Sequence, residues 1–474
     1  MRLTAYLLSN ALPKFRNWFL HLAGLVILLS FIALTWFSRS EYSDHLPGFY
    51  GVILLSYGLV FGVGYYLWKT KQCPDARTIL FWATIYHVVG VLGFPLFEDD
   101  YFRYLWDAYH TVHFETPYGV APSFYFNLSD SSVSLTPKFE AILGQINYPD
   151  IPTVYGPVLQ YSFLLGYFLA PGEVWPLQLI YSAVDLVLVV VLLKMANTTR
   201  ARIGVLLYAW SPLVLKEVVL TAHPDGLAVC LLMLAVFCYQ REAYKWTAMW
   251  LAMSVAAKVF AVLFIPFLLI PKSCFQRRFF QLDNVKPVLV NALVFGVVLI
   301  CLYVPLLMTG KSDAVGLSAM AQNWEFNSAL FGLLRLAFSP GESKLILFFG
   351  LLCFFAWYFR RYALEGSETC VRGDWIMGLF LVCAPVINAW YVLWLLPFAA
   401  LHFNVTAWAA SLLILMSYLV GLNLDGLFFD TFASGAEHLG PYDQPGWVRP
   451  VEFGLVLMVA LLLFLRKKTA KMSG

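Results

Sequence analysis

The sequence predicts an all-α protein that crosses a membrane many times, with about thirteen spans and a range of about 12 to 14. Of its 474 residues, 61% are hydrophobic and 12% are charged, whereas a soluble domain is about one quarter charged. Apolar runs of about 20 residues, the length of a membrane-spanning helix, recur along the chain. Lys and Arg gather between alternate runs, which is typical of cytoplasmic loops.

Each apolar run is predicted to be a helix, because a segment exposed to lipid must satisfy its own backbone hydrogen bonds. Two longer stretches are predicted to be helical hairpins: 246–270, which holds Lys258 and Pro266, and 375–402, which Pro385 interrupts. The run 157–170 is too short to span and suits a re-entrant or interfacial helix. The remaining predicted spans are 18–37, 49–68, 77–96, 175–194, 203–217, 224–240, 287–308, 344–360, 405–422 and 449–466.

The chain shows no internal repeat and no separate soluble segment, so residues 1–474 are predicted to form a single integral membrane domain. Residues 1–76 would hold two N-terminal spans, 77–402 a central module and 403–474 the C-terminal spans. The first apolar run, Phe19 to Phe37, lacks a small-residue cleavage site and is predicted to be a span rather than a signal peptide.

The charge pattern predicts which side each loop faces. With the N-terminus in the cytoplasm, most of the 31 Lys and Arg residues and few of the 28 Asp and Glu residues fall inside. Both termini are then cytoplasmic, and the outer segments are 38–48, a long loop 97–174, 309–343 and 423–448. The net charge of +3 is too small to indicate nucleic-acid binding. No cysteine lies in an outer segment and none has CxxC spacing, so neither a disulfide nor a zinc site is expected.

The strongest chemical signal lies where the third span meets the long outer loop. Glu98, Asp99 and Asp100 are consecutive there, and carboxylates crowded at a membrane boundary tend to have raised pKa values suited to a general base or a cation site. If a helix starts here, Arg103 lies four residues after Asp99 and Asp107 four after Arg103, on one acid–base–acid face. An arginine so placed could bind a phosphate. The alternative is a helix cap with solvated acids.

Other polar residues in apolar surroundings are further candidates. His223 and Asp225 flank Pro224 and could hydrogen-bond a sugar or phosphate, although Asp225 could equally cap the following helix. Lys258 lies in an apolar hairpin, where a lysine needs an anionic partner such as a lipid-linked phosphate or must extend to the interface. Asp185 is as well explained by a buried hydrogen bond between helices.

Two aromatic segments are weaker signals. Trp390 and Tyr391 lie in the sequence NAWYVLW at 388–394, and could line a site or belong to an interfacial aromatic belt. The segment 323–327, NWEFN, has side chains suited to stacking on a sugar. The sequence contains no P-loop, GxSxG, HExxH or dinucleotide-binding glycine motif, so ATP-driven transport and serine hydrolysis have no support.

Several motifs, taken in order, resemble those of bacterial GT-C glycosyltransferases, the mannosyltransferase-like integral membrane enzymes. The similarity covers roughly 77–400. Two positions depart from the family pattern: Thr116 replaces an Asn, and Gly156 replaces the first proline of a Tyr-Pro-Pro segment. The matching motifs are DDYFRYLWD at 99–107, TPY at 116–118, YPDIPTVYGP at 148–157, YAWSPL at 208–213, HPD at 223–225, AAK at 256–258 and WY at 390–391.

The resemblance implies a reaction, a set of roles and a location. Such enzymes transfer a sugar from a polyprenyl-phosphate carrier to an acceptor hydroxyl at the outer face of the bacterial cytoplasmic membrane, usually with inversion. For this chain the resemblance implies a hexose, either mannose or glucose. Asp99 or Asp100 would be the base, with Glu98 leaving the choice open, and Arg103 and Lys258 would stabilise the leaving phosphate. The acids permit Mg²⁺ or Mn²⁺ without requiring either ion. The acceptor could be a lipid, a glycan or a protein.

Two other functions compete with this interpretation. A transporter or flippase of a lipid-linked sugar often shows internal repeats and charges near the bilayer centre, whereas here the acids concentrate at one face. An assembly or scaffold protein that has lost the activity of catalytic relatives is disfavoured, because the acidic motif and both candidate cations are present.

Overall fold

A computed structural model describes residues 2–41, 43–126, 135–276, 282–307, 310–366, 370–424 and 439–472. Parts of all four predicted outer segments, 42, 127–134, 309 and 425–438, lie outside the described residues. Within the described ranges every regular element is helical, and the one isolated bridge pairs Phe326 with Val386 in parallel. The α-helices are α1 (Arg2–Phe37), α2 (Leu46–Lys69), α3 (Ala76–Val91), α4 (Asp100–Phe114), α5 (Pro137–Leu143), α6 (Pro157–Leu169), α7 (Trp175–Met195), α8 (Thr199–Ala209), α9 (Pro212–Val214), α10 (Asp225–Gln240), α11 (Tyr244–Ala257), α12 (Ile265–Leu268), α13 (Lys272–Gln276), α14 (Leu282–Tyr303), α15 (Ala314–Asn323), α16 (Leu330–Leu334), α17 (Pro340–Arg361), α18 (Gly373–Cys383), α19 (Leu396–His402), α20 (Val405–Leu413) and α21 (Val448–Met472).

Tighter and wider helical turns complete the described elements. The 3₁₀ turns are Pro122–Tyr125, Val259–Phe264, Val304–Leu306, Ala389–Trp394, Ile414–Tyr418 and Gly421–Asn423, and the π-helical turns are Leu215–Leu220 and Tyr362–Gly366.

Seven helical stretches in the described residues are long and apolar enough to cross a membrane, and each coincides with a predicted span. Their mean hydropathies lie between 1.5 and 2.5. The prediction of an all-helical, multi-span protein is confirmed at this level. The seven are Trp18–Phe37, Leu46–Lys69, Trp175–Met195, Thr199–Leu220, Val285–Leu306, Pro340–Leu364 and Val448–Arg466.

Seven shorter apolar helices account for the other predicted segments, so the total of about thirteen spans stays a prediction. Pro157–Leu169 is one of them, at the place where a re-entrant or interfacial helix was expected. The others are Ala76–Val91, Asp225–Gln240, Val259–Leu268, Gly373–Cys383, Ala389–His402 and Val405–Tyr418.

The two stretches predicted to be hairpins are both broken in the middle. In 246–270, α11 ends at Ala257 and Lys258 has extended backbone angles, φ −142° and ψ 134°. In 375–402, α18 ends at Cys383, just before Pro385, whose ring cannot continue a helix. Pro266 lies in the first turn of α12, where a missing N–H costs nothing. Both breaks point polar or aromatic residues toward the same region of the protein.

The burial of the spans separates a centre from a periphery. The stretch Thr199–Leu220 is entirely buried, whereas Val285–Leu306, Pro340–Leu364 and Val448–Arg466 expose most of their apolar surface. Gly204 of α8 allows this close packing, because a Cβ there would lie 2.1 Å from the carbonyl oxygen of Ala400 in α19. The outer helices therefore present the faces expected of lipid contact.

Asp185 bonds two neighbouring helices inside the bundle. Its carboxylate lies 2.9 Å from Nε2 of His87 in α3 and accepts a hydrogen bond of 2.6 Å from the hydroxyl of Tyr208 in α8. All three side chains are buried. Of the two explanations for Asp185, the structure supports the hydrogen bond between helices.

Candidate active site

A cavity of about 640 Å³ gathers most of the predicted site residues, and its volume is typical of a small-molecule site. Its wall comes from the segments 97–103, 147–156, 255–260, 313–326, 386–391 and 417–423, together with Tyr442. Predicted residues that line it are Glu98, Asp99, Asp100, Arg103, Lys258, Trp390 and Tyr391. The cavity is therefore assembled from parts of the chain that are far apart in sequence.

The three consecutive acids form one end of this cavity. Asp99 occupies the N-cap position of α4 and Asp100 is its first residue, as the sequence predicted. The positive end of a helix dipole favours carboxylates there. Asn147 holds two of them together, since its side-chain nitrogen donates to Oδ1 of Asp99 at 2.6 Å and to Oδ1 of Asp100 at 2.9 Å. The acids are half-buried and are not the freely solvated cap of the alternative interpretation.

Crowding and burial change how readily these acids ionise. Burial, with the neighbouring charge of Asp100, raises the pKa of Asp99 to about 6, although the hydrogen bond from Asn147 opposes the rise. Burial also raises the pKa of Glu98 and of Asp100. A carboxylate with a pKa near 6 is ionised at neutral pH and is still basic enough to accept a proton during a reaction.

Lys258 lines the same cavity as the acids and has the anionic partner that its apolar surroundings required. Its Nζ lies 2.7 Å from Oδ2 of Asp225, and the side chains are 15% and 0% exposed. The same nitrogen lies 5.7 Å from the ring centre of Tyr155 and 5.4 Å from that of Tyr391. The Tyr155 hydroxyl lies 3.4 Å from Oδ2 of Asp100, so this one residue links the lysine to the acids.

Arg103 lines the cavity but is bonded differently from the prediction. Both of its terminal nitrogens donate to the carbonyl of Ile151 at 2.9 Å, and one also donates to the carbonyl of Tyr148 at 3.3 Å. The described hydrogen bonds of Arg103 therefore go to backbone carbonyls of the 148–151 turn and not to Asp99 or Asp107, with which it was predicted to form one acid–base–acid face. Its positive charge still acts on Asp100.

Asp107 lies behind the cavity wall and does not line the cavity. It is 2% exposed and accepts hydrogen bonds from the hydroxyl of Thr153 and, at 2.9 Å, from the amide of Gln160. These bonds fix the chain between the 148–151 turn and α6. The prediction that Asp107 binds substrate is not supported by this position, because one helical turn beyond Arg103 the side chain already faces the protein interior.

His223 and Asp225 are fully buried and reach the cavity only through other residues. The His223 ring stacks on Trp390, with centres 4.0 Å apart, and its Nδ1 lies 3.1 Å from the hydroxyl of Tyr104. The Asp225 carboxylate accepts a hydrogen bond of 2.9 Å from the indole of Trp394, in addition to its contact with Lys258. The capping interpretation of Asp225 is wrong, since α10 has Pro224 at its N-cap and no side-chain cap bond. Both residues therefore hold side chains of the cavity wall in place and do not line the cavity themselves.

Trp390 and Tyr391 belong to the cavity wall and not to an interfacial belt. They are 8% and 5% exposed, and they face the cavity from the 3₁₀ turn Ala389–Trp394. Burial of both rings favours the site interpretation over the belt, because belt residues lie at the membrane surface.

A buried charged cluster behind the acids was missed in the sequence. Lys216 and Glu217 are both 0% exposed and 3.3 Å apart, and the Tyr418 hydroxyl donates 2.6 Å to Glu217 while its ring lies 4.0 Å from the lysine Nζ. Tyr418 and Glu98 line the cavity. The available signal was a Lys-Glu pair at the end of an apolar helix, where ionisable groups are usually functional.

The acids could hold a divalent cation. One oxygen from each of Glu98, Asp99 and Asp100 lies within 4.8 Å of the others, and hard cations such as Mg²⁺ and Mn²⁺ prefer oxygen ligands. Asn147 binds Oδ1 of each aspartate and the Tyr155 hydroxyl lies 3.4 Å from Oδ2 of Asp100, but a carboxylate offers about four lone-pair sites, so these bonds leave some of them for an ion. The donor set thus fits such an ion, which would supply positive charge beside the carboxylates.

No protein-family model, curated protein or solved structure matches this chain. A functional proposal therefore stands on the geometry of the cavity and on the ordered motifs of the sequence.

Proposed function

We propose that this protein is a membrane glycosyltransferase that moves a hexose from a polyprenyl-phosphate carrier to an acceptor hydroxyl on the non-cytoplasmic face. The observation that carries the proposal is one cavity lined by both a basic carboxylate and a lysine, Asp99 and Lys258. The ordered motifs shared with GT-C glycosyltransferases support the same reaction.

The carboxylate and the lysine match the two charges that the reaction creates. The Asp99 carboxylate accepts the proton of the acceptor hydroxyl as that oxygen bonds to the anomeric carbon. The bond from the anomeric carbon to the phosphate oxygen breaks on the opposite face, and its electron pair leaves with the polyprenyl phosphate. Lys258 stabilises this leaving group as negative charge gathers on it. Attack from one face and departure from the other inverts the anomeric carbon.

The wall beside Lys258 suits a lipid carrier. Val259, the residue after Lys258, lines the cavity and is 47% exposed. Phe260 and Val386 continue the apolar surface inward. An isoprenoid chain would cover these side chains and gain about 25 cal/mol for each Å² of apolar surface removed from water, while its phosphate lies at the lysine.

Transfer of radiolabelled sugar tests the proposal. Purified protein in lipid nanodiscs would receive polyprenyl-phosphate mannose or glucose and a panel of acceptors, with and without EDTA. We expect turnover by the wild type and a loss of about 10²- to 10⁴-fold in Asp99→Asn, because a general base contributes about that much. Loss of turnover in the presence of EDTA would show that the site also needs a divalent cation. If the protein binds the carrier without turnover, and Asp99→Asn and Asp100→Asn leave that binding unchanged, the result would indicate a transporter instead.

A further inference from the structure

Three aromatic rings from distant parts of the chain meet at the acidic end of the cavity. The ring of Tyr148 stacks on that of Tyr442, with centres 5.2 Å apart and planes inclined by 26°. The ring of Trp324 lies against Tyr148 at a centre distance of 4.6 Å. All three line the cavity. We call Tyr148, Trp324 and Tyr442 the aromatic cluster.

The aromatic cluster is open to a ligand. Tyr148 is 39% exposed and Tyr442 is 38% exposed, while Trp324 is half-buried. Adjacent aromatic rings left in contact with water lose the free energy that burial would give them. An exposed apolar patch of this kind beside a cavity marks a binding surface.

Tyr148 is held by a strained turn. Its φ of 46° lies in the left-handed region, which a bulky side chain rarely adopts. Arg103 stabilises the turn by donating to the Tyr148 carbonyl, and the preceding Asn147 is bonded to Asp99 and Asp100. Backbone strain retained beside such a site is typical of a functional constraint, and here it directs the ring toward the cavity.

The segments that carry the other two rings are also fixed by backbone hydrogen bonds. Two residues after Trp324, the N–H of Phe326 donates a hydrogen bond of 3.0 Å to the Pro385 carbonyl. The Phe326 carbonyl accepts a hydrogen bond of 2.9 Å from the N–H of Ile387.

The carbonyls on either side of Tyr442, those of residues 441 and 443, accept hydrogen bonds of 2.8 and 3.0 Å from residues 422 and 421. Rings fixed before a ligand arrives bind it with less loss of conformational entropy.

Electrostatic contacts place the aromatic cluster on the Asp99 side of the cavity. Burial raises the pKa of Tyr148 and of Tyr442, and the charge of Asp99 is the next cause for both. The charge of Asp100 also acts on both tyrosines, after that of Asp99.

Tyr148 directly follows Asn147, which is bonded to both aspartates. Asp100 is linked to Lys258 through Tyr155, whose hydroxyl lies 3.4 Å from Oδ2 of Asp100 and whose ring centre lies 5.7 Å from the lysine Nζ.

A pyranose ring has the chemistry that this end of the cavity recognises. Its C–H bonds carry partial positive charge and are attracted to the negative face of an aromatic ring. Its hydroxyls would meet the carboxylate and amide groups of Asp99 and Asn147. A lipid alcohol would instead favour the apolar wall at Val259 and Phe260, the residues that follow Lys258.

We propose that the aromatic cluster is an acceptor subsite that stacks a sugar ring, so that the acceptor is a glycan or glycoside rather than a lipid alcohol or a peptide. The acceptor role rests on the proposed glycosyl transfer, whereas the binding of a sugar ring at these side chains does not.

Saturation-transfer NMR on protein in lipid nanodiscs tests the subsite, with methyl β-D-glucopyranoside and methyl α-D-mannopyranoside as probes and glycerol as the control solute. Alkyl glycoside detergents must be absent, because their head groups are sugars. We expect transfer to the ring C–H protons of a probe and an affinity roughly tenfold lower in Tyr442→Ala, since one stacked ring is lost. Tyr442→Phe keeps the ring and should bind normally.

Phe124→Ala is the matched control. Phe124 is an aromatic residue, 61% exposed, in the predicted outer loop but outside the cavity lining, and its loss should leave sugar binding unchanged. Equal affinity in Tyr442→Ala and wild type, or probe signals no stronger than those of glycerol, would overturn the subsite.

Transfer measurements separate this inference from the proposed function. Asp99→Asn should lose transfer, whereas its amide can still hydrogen-bond a sugar hydroxyl, so the probes should still bind and their binding should still depend on Tyr442. Transfer to a lipid alcohol at equal rates in wild type and Tyr442→Ala would overturn the acceptor assignment while the glycosyltransferase stands. Sugar binding that needs Tyr442, in a protein that transfers nothing, would support the sugar site and overturn the proposed function.

Discussion

At the scale of single residues, the site depends on charged groups that are wholly or partly buried together with their partners. Lys258 is bound to Asp225, and Asp99 is bound to Asn147. A buried charge that loses its partner keeps the cost of its lost hydration. Substitutions at these pairs should therefore have larger effects than substitutions at exposed pairs of the same type.

Lys258→Met should lower stability strongly. It would leave the carboxylate of Asp225, which is 0% exposed, with the Trp394 indole but without its cation, and breaking a buried pair costs about 3–5 kcal/mol. Lys138→Met is the matched control, because its pair with Glu173 has side chains 46% and 52% exposed and is expected to contribute at most about 1 kcal/mol. Thermal unfolding in nanodiscs measures both, and equal Tm shifts would contradict the account.

The rate of transfer should fall as the pH falls through about 6, the pKa of Asp99, because a protonated carboxyl group cannot accept the acceptor proton. Asn147→Ala removes a hydrogen bond that lowers this pKa, so the midpoint of the pH–rate profile should move to higher pH. Gln145→Ala, an exposed residue of the same turn, is the control. A midpoint that stays in place in Asn147→Ala would exclude Asp99 as the titrating base.

At the scale of elements, the cavity exists because chain segments end or turn at its edge. α4 begins at Asp100, α11 ends at Ala257 and leaves Lys258 extended, and the 147–156 segment passes between them. Gly156 permits this passage, because a Cβ there would lie 2.2 Å from the carbonyl oxygen of Ala256. The residue that departs from the GT-C motif therefore has a packing reason in this fold.

Gly156→Ala should displace the end of α11 and with it Lys258, since a backbone oxygen cannot yield to the added methyl group. Both stability and transfer should fall. Gly144→Ala is the matched control in the same outer loop, where the nearest atom to a new Cβ would be 3.5 Å away, an ordinary contact. Circular dichroism melts and transfer rates of the two variants check this, and equal behaviour would contradict the packing argument.

At the scale of the whole molecule, the sequence predicted the helices well and the contacts poorly. Lipid forces each span to be a long apolar helix, so the seven long spans follow from hydropathy. The acid cluster was visible because its members are consecutive. By contrast, Lys216 meets Tyr418 across 202 positions, and no local pattern encodes such a contact. Likewise, the stacking of His223 on Trp390 depends on how α10 packs beside the 3₁₀ turn Ala389–Trp394.

The orientation in the membrane remains a prediction of the charge pattern, which puts both termini in the cytoplasm. Cys73, an exposed residue between α2 and α3, should then react with a membrane-impermeant maleimide only after cells are permeabilised. A cysteine introduced as Phe124→Cys in the long outer loop should react in intact cells. Labelling of Cys73 from outside would reverse the assignment.

The most direct test of the central claim, that this cavity transfers sugar with Asp99 as the base, compares two aspartates of the same loop. Initial rates of sugar transfer and binding of the carrier would be measured together for Asp99→Asn and Asp150→Asn, the latter an exposed residue outside the cavity lining. The account predicts that both variants bind the carrier and that only Asp99→Asn loses turnover, by about 10²-fold or more. Equal turnover in the two variants would contradict it.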